Sequence, residues 1–484
     1  MLCAGSVRQK NVQNTMLKNV LDACTGAISF WAVGFAFAYG GSINATDDDK
    51  SVTFIGTEHF FMEGLDDFEI IFWLFQFAFA ATSATIVAGT LAERCQMVGY
   101  MMYSVTLTGF IYPVVVHAIW SRRGFLSPSA EDPLFGIGML DFAGSGVVHV
   151  TGGIASLLAS VIVGPRKGRF FNERTGEPLD TPKEILGHSA SLQVLGTFIL
   201  WFSWYGFNPG SVQTLRGGGA SVASLAAVTT TLSAAAGGVA SLATDTLIEE
   251  RLTGEATFNL SACLNGCLSG LVAITAGCAV VEPWAAIVIG MISGWVYLWS
   301  SKALVRWRID DAVDAIPVHL ANGIWGVIAT GLFARGEYIE MAFGLDSSEG
   351  IFYEWGSGDG NGKLLAAQIC GLLFIVGWVT VLMGPFFLVL NYLGWFRADP
   401  LEEVVGLDIS YHGGNAYDFD EFKLESFDLT KRGKNSDGVS RSERLRLILD
   451  ATTDRAPRSP PTGVAPSSSD DSFDVPSDLE APQS

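Results

Sequence analysis

Ten long apolar runs constrain the fold of this chain more than any other feature of its sequence. None of the runs contains Lys or Arg. They cover approximately residues 19–41, 68–92, 97–120, 142–164, 189–208, 218–245, 257–279, 283–301, 312–334 and 364–395. About 20 apolar residues in a helix span the hydrocarbon core of a bilayer, and a helix pairs its backbone polar groups internally. The sequence therefore predicts an all-α polytopic membrane protein with ten spans.

The composition excludes several other classes of protein. Only 16% of the 484 residues are charged, against about 25% in soluble domains, so most of the chain is too apolar for a soluble enzyme. The net charge of −20 gives no basic face for nucleic acid. The seven Cys lie mostly in apolar runs and do not suggest a disulfide framework.

The distribution of Lys and Arg predicts the orientation of the chain. Residues 1–18 and the loops on the same side hold 13 Lys and Arg, whereas the opposite loops hold five. Because basic loops remain on the cytoplasmic side, we expect the N-terminus of this chain and the C-terminal tail to face the cytoplasm. Ten spans satisfy that parity.

Two segments of the chain repeat one pattern. DFAGSGVVHVTGGIASLLAS begins at Asp141, and DAVDAIPVHLANGIWGVIAT begins at Asp311. Each places a histidine eight residues after the aspartate, at His149 and His319, and a Gly-Ile pair follows each histidine. Five predicted spans separate the two starts, so the copies cross the membrane in opposite directions. This arrangement is typical of transporters built from two inverted halves around a central pathway.

The repeat predicts that both histidines lie near the bilayer midplane. Eight helical residues rise about 12 Å, nearly half of a hydrocarbon core of about 30 Å. An ionisable residue at that depth is costly and indicates function. Facing neutral imidazoles can share a proton, because each has one donor and one acceptor nitrogen. Structural alternatives stay open: Asp141 and Asp311 as helix N-caps, and the histidines as packing residues.

Several segments of the chain carry a family resemblance. They are MLCAGSVRQKN at the start, TLAERCQ at 90–96, DFAGSGVVH at 141–149, WYGFNPGS at 204–211, DDAVDAIPVH at 310–319 and GLDISYHGG at 406–414. From residue 1 to about 417 the chain resembles the Amt/Mep/Rh ammonium transporter family, and most closely its plant-type branch. The resemblance implies transport of ammonium or ammonia by a protein that is neither an enzyme nor dependent on a cofactor or metal.

The resemblance also implies an architecture. Family members have eleven spans in two inverted-topology halves around a central pore, and they assemble as homotrimers in the lipid bilayer of the plasma membrane. MLCAGSVRQKN is similar to the end of the family's first span, so we expect either that the start of this sequence is truncated or miscalled or that the chain lacks this helix. We expect a membrane domain over 1–395, a cytoplasmic regulatory tail over 396–417 and a largely disordered extension over 418–484.

Family roles can be assigned to matching residues. The resemblance implies an ammonium-binding vestibule at Trp120, Ser211 and Phe79, a pore gate at Phe79 and Phe207, pore histidines at His149 and His319, and a buried acid, Asp141, that supports deprotonation. Asp310 and Asp311 are the corresponding acids of the second repeat. In the tail, Ser410 is the candidate site for a kinase, since phosphorylation adds about −1.5 to −2 charges.

The chemistry of ammonium suits these residue types. A Trp face attracts a cation by roughly 0.5–2 kcal/mol, and a serine hydroxyl can accept an N–H bond. Potassium can lie over an aromatic ring, but it can neither donate a hydrogen bond nor lose a proton. The alternative function is an ammonium sensor that signals through its tail. A haem enzyme, which needs more axial histidines, and a serine hydrolase on Ser211 are weaker hypotheses.

Overall fold

The computed structural model describes residues 1–42, 51–173, 175–345, 348–357 and 360–417. Within these ranges the chain is helical and forms no β-strand beyond isolated bridges. The ten principal helices are α1 Gln9–Tyr39, α2 Asp67–Thr90, α3 Met97–Trp120, α4 Ser145–Val163, α5 Ala190–Phe207, α6 Gly219–Thr253, α7 Leu260–Ile274, α8 Pro283–Arg306, α9 Ile316–Phe333 and α10 Lys363–Tyr392. The extension over 418–484 lies outside the described residues.

The helices confirm the predicted fold class. Eight of them are long and apolar enough to cross a membrane. The other two, α5 and α7, contain 18 and 15 residues and coincide with the remaining two apolar runs. The chain is therefore an all-α polytopic membrane protein.

Some helix boundaries differ from the prediction. Helix α1 begins at Gln9 rather than near residue 19, so it includes Lys18. Lys18 is buried, and its Nζ donates to the carbonyl of Cys95 at 2.6 Å, which is how a basic residue is accommodated in this helix. Helices α4 and α9 begin later than predicted. The residues that follow Asp141 and Asp311 form a turn before each helix starts.

The two repeats share one backbone geometry. A residue with positive φ lies three positions after each repeat aspartate: Gly144 at +105° and Asp314 at +58°. Each of these residues is followed by a π-helical segment, Ser145–Val150 or Ile316–Ala321. Such segments are rare and frequently occur at functional sites. The repeat in the sequence is therefore a repeat of backbone conformation as well.

Helices α4 and α9 cross where the repeats carry their Gly-Ile pairs. A Cβ added to Gly153 would lie 2.7 Å from the Cα of Leu320, and one added to Gly323 would lie 2.8 Å from the carbonyl oxygen of Ser145. Only glycine permits this approach of the two backbones. The crossing brings the histidine of each repeat to the same level.

Buried charged side chains join the loops at one end of the helical bundle. We call this end the tail face, and it comprises residues 8–11, 93–96, 164–167, 310 and 397–412. Arg166 binds Asp310 through two hydrogen bonds, of 2.8 and 2.9 Å. Glu93 pairs with Arg8 at 2.7 Å and with Arg166 at 3.3 Å. Burial by itself raises the pKa of Asp310, but the hydrogen bonds from Arg166 and the charges of Arg94 and Arg166 outweigh it and hold the pKa below its ordinary value.

The tail contacts this face through two short helices, α11 Pro400–Val405 and α12 Leu407–His412. The carboxylate of Asp408 accepts hydrogen bonds from the backbone N–H groups of Gln13 and Asn14 at 3.0 and 2.8 Å. Lys10 in turn donates to the carbonyls of Glu403 and Val404 at the end of α11, at 3.0 and 2.6 Å. The tail therefore accepts hydrogen bonds from N–H groups in the first turns of α1, and α1 donates hydrogen bonds to the last carbonyls of α11.

We expect Asp310→Asn to lower the free energy of unfolding by about 3–5 kcal/mol, the usual cost of breaking a buried ion pair by removing one partner, because Arg166 then keeps only its longer contact with Glu93. Because the folded pKa of Asp310 is depressed, its contribution is complete above the unfolded pKa of about 3.9 and is lost as pH falls toward the folded value. The melting temperatures of wild type and Asp310→Asn in detergent should therefore differ by a constant amount near neutral pH, and the difference should shrink progressively as pH falls below about 4. The exposed Glu255→Gln is the matched control. A constant difference from wild type at every pH would contradict the prediction.

Candidate functional site

An aromatic-lined cavity of about 220 Å³ lies at the end of the bundle away from the tail face. Helix α3 identifies the two ends, because it starts beside the tail residue Phe396 and ends at the cavity residue Trp120. The cavity is lined by Tyr39, Phe72, Phe75, Gln76, Phe79, Trp120, Phe142, Ser211 and Gln213. It brings together all three residues that the sequence assigns to a vestibule, so we call it the vestibule.

Three contacts hold the Trp120 ring in place. Its Nε1–H donates to the carbonyl oxygen of Asp141 at 2.7 Å. Phe79 packs edge-to-face against it, with centroids 5.6 Å apart and an interplanar angle of 87°. Gly144 lies beneath the ring, and a Cβ there would be 3.2 Å from it. The first repeat thus positions the vestibule tryptophan.

Ser211 presents a hydrogen-bond acceptor to the vestibule. It lies in the 3₁₀ turn Pro209–Val212 after α5, and its hydroxyl donates to the carbonyl of Phe207 at 2.7 Å. A serine hydroxyl has one hydrogen and two acceptor lone pairs. Because the hydrogen is used within the turn, the oxygen is available to accept a hydrogen bond from a donor in the cavity.

Phe79 and Phe207 separate the vestibule from the histidines. Their ring centroids are 4.2 Å apart at an interplanar angle of 32°. Phe207 also stacks on His149, with centroids 5.7 Å apart. The two phenylalanines, which the resemblance predicts to form a gate, therefore contact each other between the vestibule and His149.

The two repeat histidines contact each other directly. The Nδ1 atoms of His149 and His319 are 3.2 Å apart, and the rings lie 21° from parallel. One Nδ1 must donate and the other accept, so two neutral rings take complementary tautomers. Trp204 stacks on His149, with centroids 5.4 Å apart. The Nε2 of His149 is buried and has no hydrogen-bond partner among the described residues.

A second cavity, of about 430 Å³, begins on the other side of the histidine pair. His319 and Trp204 line it together with mainly apolar residues of α1, α2, α5 and the short helix Leu2–Ser6. The vestibule, the phenylalanine pair, His149, His319 and this cavity therefore lie in sequence along one path. We call the second cavity the inner cavity.

Asp141 does not line the vestibule but organises the residues that do. Its carboxylate accepts hydrogen bonds from the backbone N–H groups of Gly144, Gly146 and Val147, at 3.0, 2.9 and 2.8 Å. This is the geometry of a helix cap, applied to the π-helical start of α4. Asp141 therefore acts on His149 through the backbone that carries it, and on Trp120 through its own carbonyl oxygen.

The structure separates the two acids that the sequence grouped in the second repeat. Asp311 is the counterpart of Asp141, because its carboxylate accepts a 2.6 Å hydrogen bond from the N–H of Ile316 at the start of α9. Asp310 instead points to the tail face and pairs with Arg166. Ser410, in α12, is half-buried and donates to the carbonyl of Gly406 at 2.8 Å.

Sequence reasoning missed two residues of the path. Trp204, which stacks on His149, lies three residues before Phe207 and therefore on the same face of α5, a spacing that could have indicated it. Gln76 lies three residues before Phe79 on α2 in the same way, and it is the only polar residue in the apolar run from Phe68 to Ala81 apart from Glu69.

A polytopic helical membrane fold with a cavity on each side of the Phe79–Phe207 and His149–His319 contacts is typical of a membrane transport protein for a small solute. The model of the Ammonium Transporter Family matches residues 1–417, and the chain belongs to this family. Its relatives are named transporters and not enzymes.

Two plant relatives illustrate the similarity. Ammonium transporter 1 member 2 of Arabidopsis thaliana is 46% identical over 437 residues, which cover 87% of this chain and 80% of the relative. Ammonium transporter 1 member 1 of Oryza sativa subsp. japonica is 46% identical over 431 residues, which cover 86% and 81%. These matches confirm the resemblance to the plant-type branch.

Solved structures share the fold. The structure described as Sensor Amt Protein has a TM-score of 0.69 and 29% identity, covering 85% of this chain and 92% of its own. Mep2 of Candida albicans has a TM-score of 0.69 and 25% identity, covering 86% and 88%.

Proposed function

We propose that this chain transports ammonium or ammonia across a membrane along the path from the vestibule to the inner cavity. The observation that carries the proposal is the contact between His149 and His319, which lies between the two cavities and behind the aromatic pair of Phe79 and Phe207. Family membership over residues 1–417 supports ammonium as the solute.

The vestibule recruits the cation. Ammonium loses favourable hydration when it leaves water, and burial without partners is costly. The Trp120 and Phe79 rings compensate through cation–π attraction, and the Ser211 oxygen accepts one N–H. Potassium can use the rings, but it has no hydrogen to donate to the serine.

Passage beyond the vestibule requires the two phenylalanine rings to move, because they are stacked at 4.2 Å. Behind them the walls are aromatic and apolar, and this favours neutral ammonia over its cation. We propose that ammonium is deprotonated at the inner end of the vestibule, with Asp141 supporting this step by holding Trp120 and the start of α4. His149 and His319 then exchange hydrogen bonds with ammonia.

An ammonium sensor is the second candidate function. The similarity to the structure described as Sensor Amt Protein supports it, and so do the capping contacts between the tail and α1. A sensor would bind ammonium in the same vestibule and report through the tail. A kinase acting on Ser410 would place a phosphate beside the contact that Asp408 makes with α1.

We also propose the setting in which the chain works. The 13 Lys and Arg of residues 1–18 and the loops on the same side, against five in the opposite loops, support a cytoplasmic orientation of the tail face, with the vestibule facing the outside. Assembly as a homotrimer in the plasma membrane follows the family expectation. Cross-linking in membranes would test the trimer.

Uptake of ammonium by cells that lack their own ammonium transporters tests the function. We expect the chain to restore uptake and Ser211→Ala to raise KM about tenfold, because a hydrogen bond to a charged group contributes roughly 1.5 kcal/mol or more. Ser224→Ala is the matched control: its hydroxyl also donates to the carbonyl four residues earlier, at 2.8 Å, but on an exposed face of α6. Protein at the cell surface that moves no ammonium would contradict transport and favour the sensor.

A further inference from the structure

Gln76 is a polar side chain of the vestibule that has no role in the function proposed above. Gln76 is only 4% exposed, and its Oε1 is buried without a hydrogen-bond partner among the described residues. It lines the vestibule together with Trp120, Phe79 and Ser211. We propose that the side-chain carbonyl of Gln76 is a second hydrogen-bond acceptor for the cation bound there. This inference rests on the proposed function, because it assigns a residue of the same site.

The burial of Gln76 is the first reason. Buried polar atoms in native proteins are almost always hydrogen-bonded, and an unpaired one destabilises the fold. The other buried glutamine amide of the region shows the usual solution. Gln368 accepts from the N–H of Leu140 at 2.8 Å and donates to the carbonyls of Leu140 and Val327 at 2.7 and 3.1 Å. The side chain of Gln368 thus joins neighbouring segments through hydrogen bonds, whereas the Oε1 of Gln76 makes no such bond to the described residues.

The position of Gln76 is the second reason. It lies one helical turn before Phe79 on α2, and residues three apart share one face of a helix. Its side chain therefore lines the same space as the Phe79 ring, and rotation of the terminal amide would turn the buried Oε1 toward a cation bound there. Most of that space is lined by aromatic rings, which attract a cation but accept hydrogen bonds only weakly.

The chemistry of the solute is the third reason. Ammonium has four N–H donors, and the Ser211 oxygen accepts one of them. Rings satisfy further donors poorly, so a carbonyl acceptor on a separate helix adds both affinity and orientation. A neutral amide does this without the fixed negative charge that would hold the cation and oppose its deprotonation.

The test uses full-length protein with Gln76→Met, which keeps an unbranched side chain of similar length and removes the carbonyl. We expect the KM for ammonium uptake to rise about tenfold, the effect of one charge-assisted hydrogen bond, with little change in maximal rate. Gln76→Glu keeps acceptor oxygens and adds a charge, so it should lower KM and reduce the maximal rate through slower release.

Thermal unfolding distinguishes a binding role from a structural one. Without ammonium, Gln76→Met should melt at a higher temperature than wild type, because an unpaired buried polar atom is gone. Gln368→Met, which loses three hydrogen bonds, should melt at a lower temperature. A rise in KM together with reduced stability in Gln76→Met would overturn the proposal in favour of a packing role, and so would an unchanged KM.

Ammonium chloride added to purified protein separates this inference from the proposed function. If wild-type protein moves no ammonium but ammonium raises its melting temperature, transport fails, and a smaller rise in Gln76→Met still supports the binding role. If uptake succeeds and both proteins show the same rise, Gln76 is not an acceptor. Sodium chloride at equal ionic strength is the reference.

Discussion

We expect Asp141→Ala to reduce ammonium uptake to background even though the carboxylate does not line the vestibule. The substitution leaves the N–H groups of Gly144, Gly146 and Val147 without their acceptor in a buried site. Each unpaired buried donor costs about 1–3 kcal/mol, so the turn will rearrange to recover hydrogen bonds. That turn carries His149, and the Asp141 carbonyl fixes Trp120, so one change displaces both the vestibule and the pore.

Asp66→Ala is the matched control for this prediction. Asp66 caps α2 through a 2.8 Å bond from the N–H of Glu69, but it is exposed and lines neither the vestibule nor the inner cavity. Loss of such a cap costs about 1 kcal/mol, so uptake should remain near wild type. Asp141→Asn, whose oxygen can replace only part of the acceptor set, should retain a small residual rate. Wild-type uptake by Asp141→Ala at equal surface level would show that the cap is dispensable.

The helices and the two histidines could be predicted because their signals are local or repeated. Apolar runs without Lys or Arg mark membrane helices irrespective of their neighbours. The two copies of Asp, His and Gly-Ile predicted opposite crossings, and α4 indeed runs from the vestibule toward the tail face whereas α9 starts at that face. Trp120, Ser211 and Phe79 were placed by resemblance, and the structure brings them to one cavity.

Other features depend on three-dimensional packing and left no local signal. Asp310 and Asp311 are adjacent in sequence, yet one pairs with Arg166 from a distant loop and the other caps α9. Whether an acid is capping or ion-paired depends on which partner lies beside it, and the sequence does not specify that. The sequence likewise does not specify that the Oε1 of Gln76 has no hydrogen-bond partner among the described residues, because this depends on every side chain packed around it.

The histidine pair yields the second large effect, and a double-mutant cycle measures it. The Nδ1 atoms of His149 and His319 are joined by one hydrogen bond of 3.2 Å. Removing either ring therefore leaves the other without its hydrogen-bond partner. We expect His149→Ala and His319→Ala each to lower ammonium uptake about tenfold or more, which corresponds to roughly 1.4 kcal/mol. The double variant should be little worse than either single one, since residues in direct contact are non-additive.

His59→Ala is the matched control for the cycle. His59 is a half-buried histidine whose ring hydrogen-bonds the carbonyl of the nearby Glu63 at 2.9 Å. It lines neither the vestibule nor the inner cavity, so its loss should leave uptake unchanged. If the double variant lost the product of the two single losses, the histidines would act independently, and the pair would be two packing residues rather than one conducting element. If all three variants transported ammonium at the wild-type rate, solute would reach the inner cavity without contacting the pair, and the path proposed between the two cavities would be wrong.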